Sequence, residues 1–237
     1  MPVIKANRMM LAFALLTVDK MLAQKIVQWS EDSVADGGGG RIARLAGNII
    51  RESEANLLMD VIASLKADAK HLDSTDGLPA FETYVLNHGK GTHPLTVGSN
   101  AQLAPMLERM TAFARRNYEC PACHLCSVLL RRYMTSERVR VHSHFDRNAI
   151  VTAVISLNGG FAPPAFEGGF FLQRTARASS REFLKSNRTS AVFHSYDLNH
   201  GVELLRGTRY SSIFWWSDTE ESCREGTSPW YNYEGVQ

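Results

Sequence analysis

The segment VHSHFDRN, residues 141–148, places two histidines and an aspartate at alternating positions. Side chains two residues apart lie on one face of a β-strand, so His142, His144 and Asp146 should project together. Positions 142 and 146 would stand about 13 Å apart, too far to share one ion. Only a neighbouring pair can chelate a metal: His142 with His144, which suits zinc, or His144 with Asp146, which suits iron if another histidine joins them.

The later segment FHSYDLNHGVELLRGTRYSS supplies two further histidines. On an extended strand His194 and His200 would lie about 20 Å apart, so one site cannot take both. We predict that His200 is the ligand because of the residues after it. A hairpin at Arg206 and Gly207 would place Arg209 about 13 Å from His200 along the strand.

An arginine side chain reaches roughly half that distance, and a five-carbon dicarboxylate, 2-oxoglutarate, covers most of the rest. Its keto acid end would bind iron while its far carboxylate pairs with Arg209. A planar guanidinium matches a carboxylate through two parallel hydrogen bonds, and Ser211 on the same strand face can add a hydroxyl. His144, Asp146 and His200 would form a facial triad that leaves three iron positions open for cosubstrate and oxygen. His142 and His194 are expected to lie at the rim or to donate hydrogen bonds to the ligands.

Composition describes an ordinary soluble chain with one main domain. The chain has 237 residues, 44% of them hydrophobic and 21% charged, with a formal charge of +2. Its basic residues are scattered, so no nucleic acid partner is expected, and no apolar run reaches the ~18 residues of a membrane span. MMLAFALLTV runs into an amphipathic pattern without a clear cleavage site, which favours a helix and a cytoplasmic location, or the secretory pathway if residues 1–23 act as a signal.

The four cysteines admit three interpretations. Cys120, Cys123 and Cys126 lie in CPACHLC, and Cys223 follows nearly a hundred residues later. They can hold zinc with His124 or Cys223 as the fourth ligand, form disulfides, or stay reduced, and reduced thiols are the favoured interpretation.

The pattern of apolar residues changes along the chain. Residues 8–29 and 41–69 have helical spacing, separated by a Gly-rich linker at 36–40, and AQLAPMLERMTAFARRNY predicts a third helix. AFETYVL predicts a strand, and seven short β-type runs follow from Ser127: SVLLRRYM, RVRVHSHF, AIVTAVISL, GGFFLQ, SAVFHSYDL, GVELL and RYSSIFWW. An α+β fold with a jelly-roll barrel and N-terminal helices packed on or beside it is therefore predicted. The predicted regions are 1–70, 71–222 and a tail at 223–237.

HSHFD, a gap of 53 residues, HGV and then GTRYS together resemble the core of iron(II)- and 2-oxoglutarate-dependent dioxygenases, nearest to the prolyl 4-hydroxylase group. EGGFFLQ at 167–173 and IFWW at 213–216 match the Gly-Gly strand and the aromatic strand of that group. The resemblance spans about residues 79–220. It implies a double-stranded β-helix and a 2-oxoglutarate-binding role for Tyr133.

The resemblance also implies an activity. Fe(II), 2-oxoglutarate and O2 would hydroxylate a carbon of a peptidyl or small-molecule substrate, with proline in a protein as the first candidate, and release succinate and CO2. Ascorbate would keep the iron reduced. A metal-binding jelly roll without turnover and a zinc hydrolase built on His142, His144 and His200 stay open. Nucleic acid demethylation is disfavoured because Trp215 stands where those relatives have a second arginine.

Overall fold

The computed structural model describes residues 28–30, 42–65, 70–73, 75–97, 101–118, 120–146, 148–160, 165–175 and 177–225. The helix predicted at 8–29 lies outside these ranges except for residues 28 and 29, which belong to a strand. The Gly-rich linker at 36–40 lies outside them entirely, as does most of the tail predicted at 223–237.

Within the described ranges the chain forms three α-helices and twelve β-strands. The helices are α1 (Glu52–Ala63), α2 (Ala104–Asn117) and α3 (Glu220–Glu225), and none of them is long and apolar enough to cross a membrane. The strands are β1 (Gln28–Ser30), β2 (Ile42–Ala46), β3 (Lys70–Leu72), β4 (Pro79–Asn87), β5 (Lys90–Gly91), β6 (His124–Met134), β7 (Arg140–His144), β8 (Val151–Ser156), β9 (Phe166–Gln173), β10 (Arg181–Phe183), β11 (Ala191–Ser195) and β12 (His200–Ser217).

Two antiparallel sheets share the long strand β12. The larger has the order β1-β2-β11-β8-β12-β6-β4-β3, and in it residues 208–217 of β12 pair with β6. In the smaller sheet, residues 200–207 of β12 pair with β9, and β7 lies on the other side. This arrangement is a double-stranded β-helix, so the predicted α+β class with a jelly-roll core is confirmed.

The core divides between the two faces of the larger sheet. On one face, Met106, Met110 and Phe113 of α2 pack with the alternate β8 residues Val151 and Ile155 in a cluster that also includes α1. The second cluster, which lies between the sheets, includes Tyr133, Val141, Val154, Phe170, Leu172, Val202 and Leu204. Strand β8 is buried on both faces, and each fully buried aliphatic side chain contributes about 1.5–3 kcal/mol.

The helix predicted over residues 41–69 is wrong at its start. Residues Ile42–Ala46 form β2, which pairs with β11, and the helix α1 begins only at Glu52. Asn48, between them, has a left-handed φ of 52° that no α-helix accommodates. Hydrogen bonding to β11 stabilises a strand here, and the spacing of the apolar residues along the sequence does not reveal that long-range contact.

The hairpin predicted at Arg206 and Gly207 is also wrong, because β12 runs without a turn from His200 to Ser217. Gly207 has φ +88°, and a Cβ there would meet the carbonyl oxygen of Ala165 at 2.2 Å. The glycine therefore serves a close backbone approach where β12 passes from one sheet to the other.

The cysteines form two disulfides, Cys120–Cys123 and Cys126–Cys223, with Cα–Cα distances of 5.2 and 4.7 Å. The favoured interpretation of reduced thiols is wrong, and no thiolate is left for zinc. Helix α3, which carries Cys223, packs on β6, and this long-range contact brings the last two partners together.

Candidate metal and cosubstrate site

Two strand ends bring the predicted metal ligands together. His144 ends β7 and pairs directly with His200, the first residue of β12. Asp146 lies two residues beyond β7, with one carboxylate oxygen 3.5 Å from His144 Nε2 and the other 3.5 Å from His200 Nε2. The donor atoms of these three residues all lie within 4.8 Å of one another.

Backbone carbonyls fix the orientation of both imidazole rings. His144 Nδ1 lies 2.8 Å from the carbonyl oxygen of His142, and His200 Nδ1 lies 2.9 Å from that of Leu198. Because a carbonyl only accepts, each Nδ1 carries the proton and each Nε2 keeps a free lone pair. That tautomer presents Nε2 to a metal.

The charge states of Asp146 and His200 suit metal binding, whereas burial lowers the pKa of His144 but the neighbouring Asp146 outweighs burial and raises that pKa above its ordinary value. Burial raises the pKa of Asp146, but the neighbouring His200 and His144 outweigh burial and hold that pKa below its ordinary value. Thr152 also donates a 2.6 Å hydrogen bond to the Asp146 carboxylate. Burial lowers the pKa of His200 to about 3, so its ring is neutral near pH 7. An ionised carboxylate and neutral imidazoles are the forms that bind metal.

This donor set fits a divalent ion with open positions, such as Fe(II). The zinc hydrolase alternative loses a ligand, because the His142 side chain is exposed and does not line the cavity that contains His144 and His200.

Arg209 is a buried cation that has no charge partner within the described part of the chain. Its side chain is 0% exposed, and it donates one hydrogen bond, 3.2 Å long, to Ser156 Oγ. Its Nε and Nη1 have no hydrogen-bond partner, and among the described residues no carboxylate forms a salt bridge with it. Burial lowers its pKa to about 10. Such a group costs several kcal/mol unless an anion pairs with it, so these orphaned donors fit the far carboxylate of a dicarboxylate.

The two remaining predicted residues lie beside Arg209. Tyr133 pairs with it across β6 and β12, and its ring centroid is 5.4 Å from the guanidinium carbon. Ser211 is fully buried and donates a weak 3.4 Å hydrogen bond to the Arg131 carbonyl.

One cavity of about 1040 Å³ connects the triad with the guanidinium of Arg209. All six predicted site residues line it: Tyr133, His144, Asp146, His200, Arg209 and Ser211. Trp215 also lines it, whereas Trp216 is fully buried in the core. The site therefore holds a metal donor set and a buried cation within one continuous space.

Sequence reasoning missed three residues of the site. Thr152 and Ser156, which bond Asp146 and Arg209, were visible as hydroxyl residues four positions apart on one face of an apolar strand. The extended-strand distance of about 20 Å from His200 left His194 at the rim or in hydrogen bonding to the ligands, and that distance is wrong. The chain reverses between β11 and β12, so the rings of His194 and His200 lie 4.2 Å apart.

Comparisons with known proteins find the fold but no close relative. No family model matches the chain, and no curated protein matches it. A 2OG-Fe(II) oxygenase family oxidoreductase from Burkholderia pseudomallei is similar in structure, with a TM-score of 0.55 and 15% identity over 75% of this chain and 86% of that one. A prolyl-4-hydroxylase from Pseudomonas putida has a TM-score of 0.53 and 15% identity over 73% of this chain and 91% of that one.

The epimerase SnoN from nogalamycin biosynthesis, solved with Fe3+ and alpha-ketoglutarate, has a TM-score of 0.53 and 13% identity over 74% of this chain and 78% of that one. The chain thus has the double-stranded β-helix fold of 2OG-Fe(II) oxygenases, as its motifs predicted.

Proposed function

We propose that this protein is an Fe(II)- and 2-oxoglutarate-dependent dioxygenase. It hydroxylates a carbon of a peptidyl or small-molecule substrate, with a prolyl residue as the first candidate. One O2 supplies one oxygen atom to the new hydroxyl group and one to succinate, and CO2 leaves. The observation that carries the proposal is the fully buried guanidinium of Arg209, which has no carboxylate partner among the described residues and lies in the same cavity as a His-Asp-His donor set.

The described residues divide the work between two ends of the cavity. His144, Asp146 and His200 would hold the iron, and bound iron would supply O2 activation. Arg209 pairs with the far carboxylate of 2-oxoglutarate, supported by Ser156 and with Tyr133 alongside. The burial of Arg209 excludes water from this pair, which strengthens it.

The rest of the cavity lining includes Trp215, Tyr84 and Phe145 together with the charged groups of Glu82 and Arg131. An aromatic and polar lining of this kind suits an extended substrate that has both an apolar part, such as a ring or an aliphatic carbon, and hydrogen-bonding groups.

Succinate formation from 2-oxoglutarate under Fe(II) and O2 tests the proposal, first without and then with proline-rich peptides. His144→Ala should abolish succinate formation, while Arg209→Ala should mainly raise the concentration of 2-oxoglutarate required. Matched controls are His142→Ala, at an exposed position next to the triad, and Arg206→Ala, an exposed arginine on the same strand as Arg209. Full activity in both site variants would refute the assignment.

An absence of succinate under all conditions, with metal still bound, would favour a binding module without turnover. Ascorbate is the proposed reductant, and sustained turnover in its presence compared with its absence tests that part separately.

We also propose that the protein folds in an oxidising compartment. All four cysteines of the chain are paired, and paired cysteines persist where the redox environment is oxidising. Peptide mapping of unreduced protein from its native source should recover both disulfide-linked pairs. Recovery of free thiols at all four positions would support the cytoplasmic location instead.

A further inference from the structure

A second buried arginine, Arg131, lines the same cavity as Arg209. In the register of β6 and β12, Tyr133 stands opposite Arg209 and Arg131 stands opposite Ser211. The two arginines are therefore diagonal neighbours on one face of adjacent strands, with Cα atoms about 7–8 Å apart. Besides burial, the charge of Arg131 lowers the pKa of Arg209, as expected for two cations that lie close together.

Two carboxylates occupy the donors of Arg131. Its Nε donates a 2.6 Å hydrogen bond to Glu82 Oε2, and its Nη2 forms an ion pair with the same oxygen. Its Nη1 lies 2.6 Å from Asp73 Oδ2. Glu82 and Asp73 are only 6% and 3% exposed, so water screens these ion pairs little. All three nitrogens of Arg131 thus pair with protein carboxylates, in contrast to those of Arg209.

The sheet and a further ion pair fix the two carboxylates in place. Glu82 stands directly opposite Arg131 on β4. Asp73 follows β3 and also pairs with Arg138 at 3.1 Å. Removing one partner of a buried ion pair costs about 3–5 kcal/mol, so an incoming anion does not readily displace these carboxylates from Arg131.

We propose that Glu82 and Asp73 make the cavity selective for a dicarboxylate, because they occupy Arg131 and leave the guanidinium of Arg209 for an incoming carboxylate. A ligand with a further carboxylate would bury that charge without a cationic partner, which is unfavourable. Without Glu82, Arg131 would offer a second carboxylate site on the strand next to Arg209. The inference rests on the proposed function, since it assumes that the far carboxylate of 2-oxoglutarate pairs with Arg209.

Competition with 2-oxoglutarate for the Mn(II)-loaded protein, measured by calorimetry in excess Mn(II), tests this selectivity. The two competitors are glutarate and tricarballylate, which is glutarate with one more carboxylate on its middle carbon. That carboxylate lies three bonds of about 1.5 Å from each terminal one, so it can reach a guanidinium on a neighbouring strand. We expect the wild type to bind tricarballylate about tenfold more weakly than glutarate, or weaker still.

Glu82→Ala should raise the affinity for tricarballylate relative to glutarate by about tenfold, because it releases two nitrogens of Arg131. Adding Arg131→Met to this variant should remove the gain. The matched control is Glu137→Ala, which removes the carboxylate paired with Arg132, the next residue of β6. Neither residue of that pair lines the cavity, so the control should keep the wild-type ratio of affinities.

Equal affinities for the two competitors in the wild type would overturn the proposal, and this result does not depend on whether any variant folds. An unchanged ratio in Glu82→Ala would also overturn it, as would a gain that survives the addition of Arg131→Met. Absence of 2-oxoglutarate binding by the wild type would contradict the proposed function, and the inference would fall with it.

Discussion

Replacing Arg209 by methionine should stabilise the ligand-free protein, although the arginine is one of its largest fully buried side chains. Burial lowers the pKa of Arg209 from 12.5 to about 10, and at about 1.4 kcal/mol for each pKa unit the buried charge costs about 3 kcal/mol. Methionine fills similar space without charge but loses the hydrogen bond to Ser156, about 1 kcal/mol, and the cation–π contact with the Tyr133 ring, about 1 kcal/mol. We therefore expect the free energy of unfolding to rise by about 1 kcal/mol.

The same substitution should remove the response to 2-oxoglutarate. Under anaerobic conditions with Fe(II), turnover is impossible and binding alone shifts the unfolding curve. A cosubstrate concentration about 100 times its Kd should stabilise the wild type by about 2.7 kcal/mol. Arg209→Met should show almost none of this stabilisation, because the far carboxylate loses the buried cation that has no carboxylate partner among the described residues.

Urea unfolding of three proteins, with and without 2-oxoglutarate, measures both effects. Arg209→Lys serves as the matched control, since it keeps the charge but loses the planar fork, and it should retain a smaller response. Two results would refute the reasoning: a ligand-free Arg209→Met protein less stable than the wild type by more than about 1 kcal/mol, or an undiminished response to 2-oxoglutarate in that variant.

Two further predictions concern stability away from the metal. Burial raises the pKa of Asp73, but Arg131 and Arg138 outweigh burial and lower that pKa below 3.8. The carboxylate charge therefore stabilises the protein at neutral pH, and this stabilisation is lost as the pH falls through the lowered pKa. Asp73→Asn should therefore lower the free energy of unfolding, measured in urea, by about 3 kcal/mol at pH 7 and by less near pH 3. An equal loss at both pH values would contradict this prediction. Replacing both Cys126 and Cys223 by serine should lower the free energy of unfolding by about 4 kcal/mol, because their disulfide closes a loop with a sequence separation of 97. An unchanged urea midpoint in this variant would show that the bond does not form.

The sequence predicted the donors of the site better than the path of the chain between them. Strand periodicity and the later histidine predicted His144 and Asp146, and the GTR segment predicted Arg209. The structure brings all three to one cavity even though the expected hairpin does not form. His194 was lost because the distance argument assumed one straight strand, while the chain reverses after β11. The disulfide partners and the strand β2 depend on contacts between distant segments, which local patterns do not contain.

The distance between the metal end and the guanidinium is set by β8 rather than by a hairpin. Thr152 bonds the Asp146 carboxylate, and Ser156 bonds Arg209. These two hydroxyl residues lie four positions apart on one face of a strand, which separates them by about 13 Å. The alternate residues of β8 are buried against the helices, so the strand cannot slip by one position without burying Thr152 and Ser156 in the apolar core. Packing of the helix-facing cluster therefore fixes the length that a bridging diacid must span.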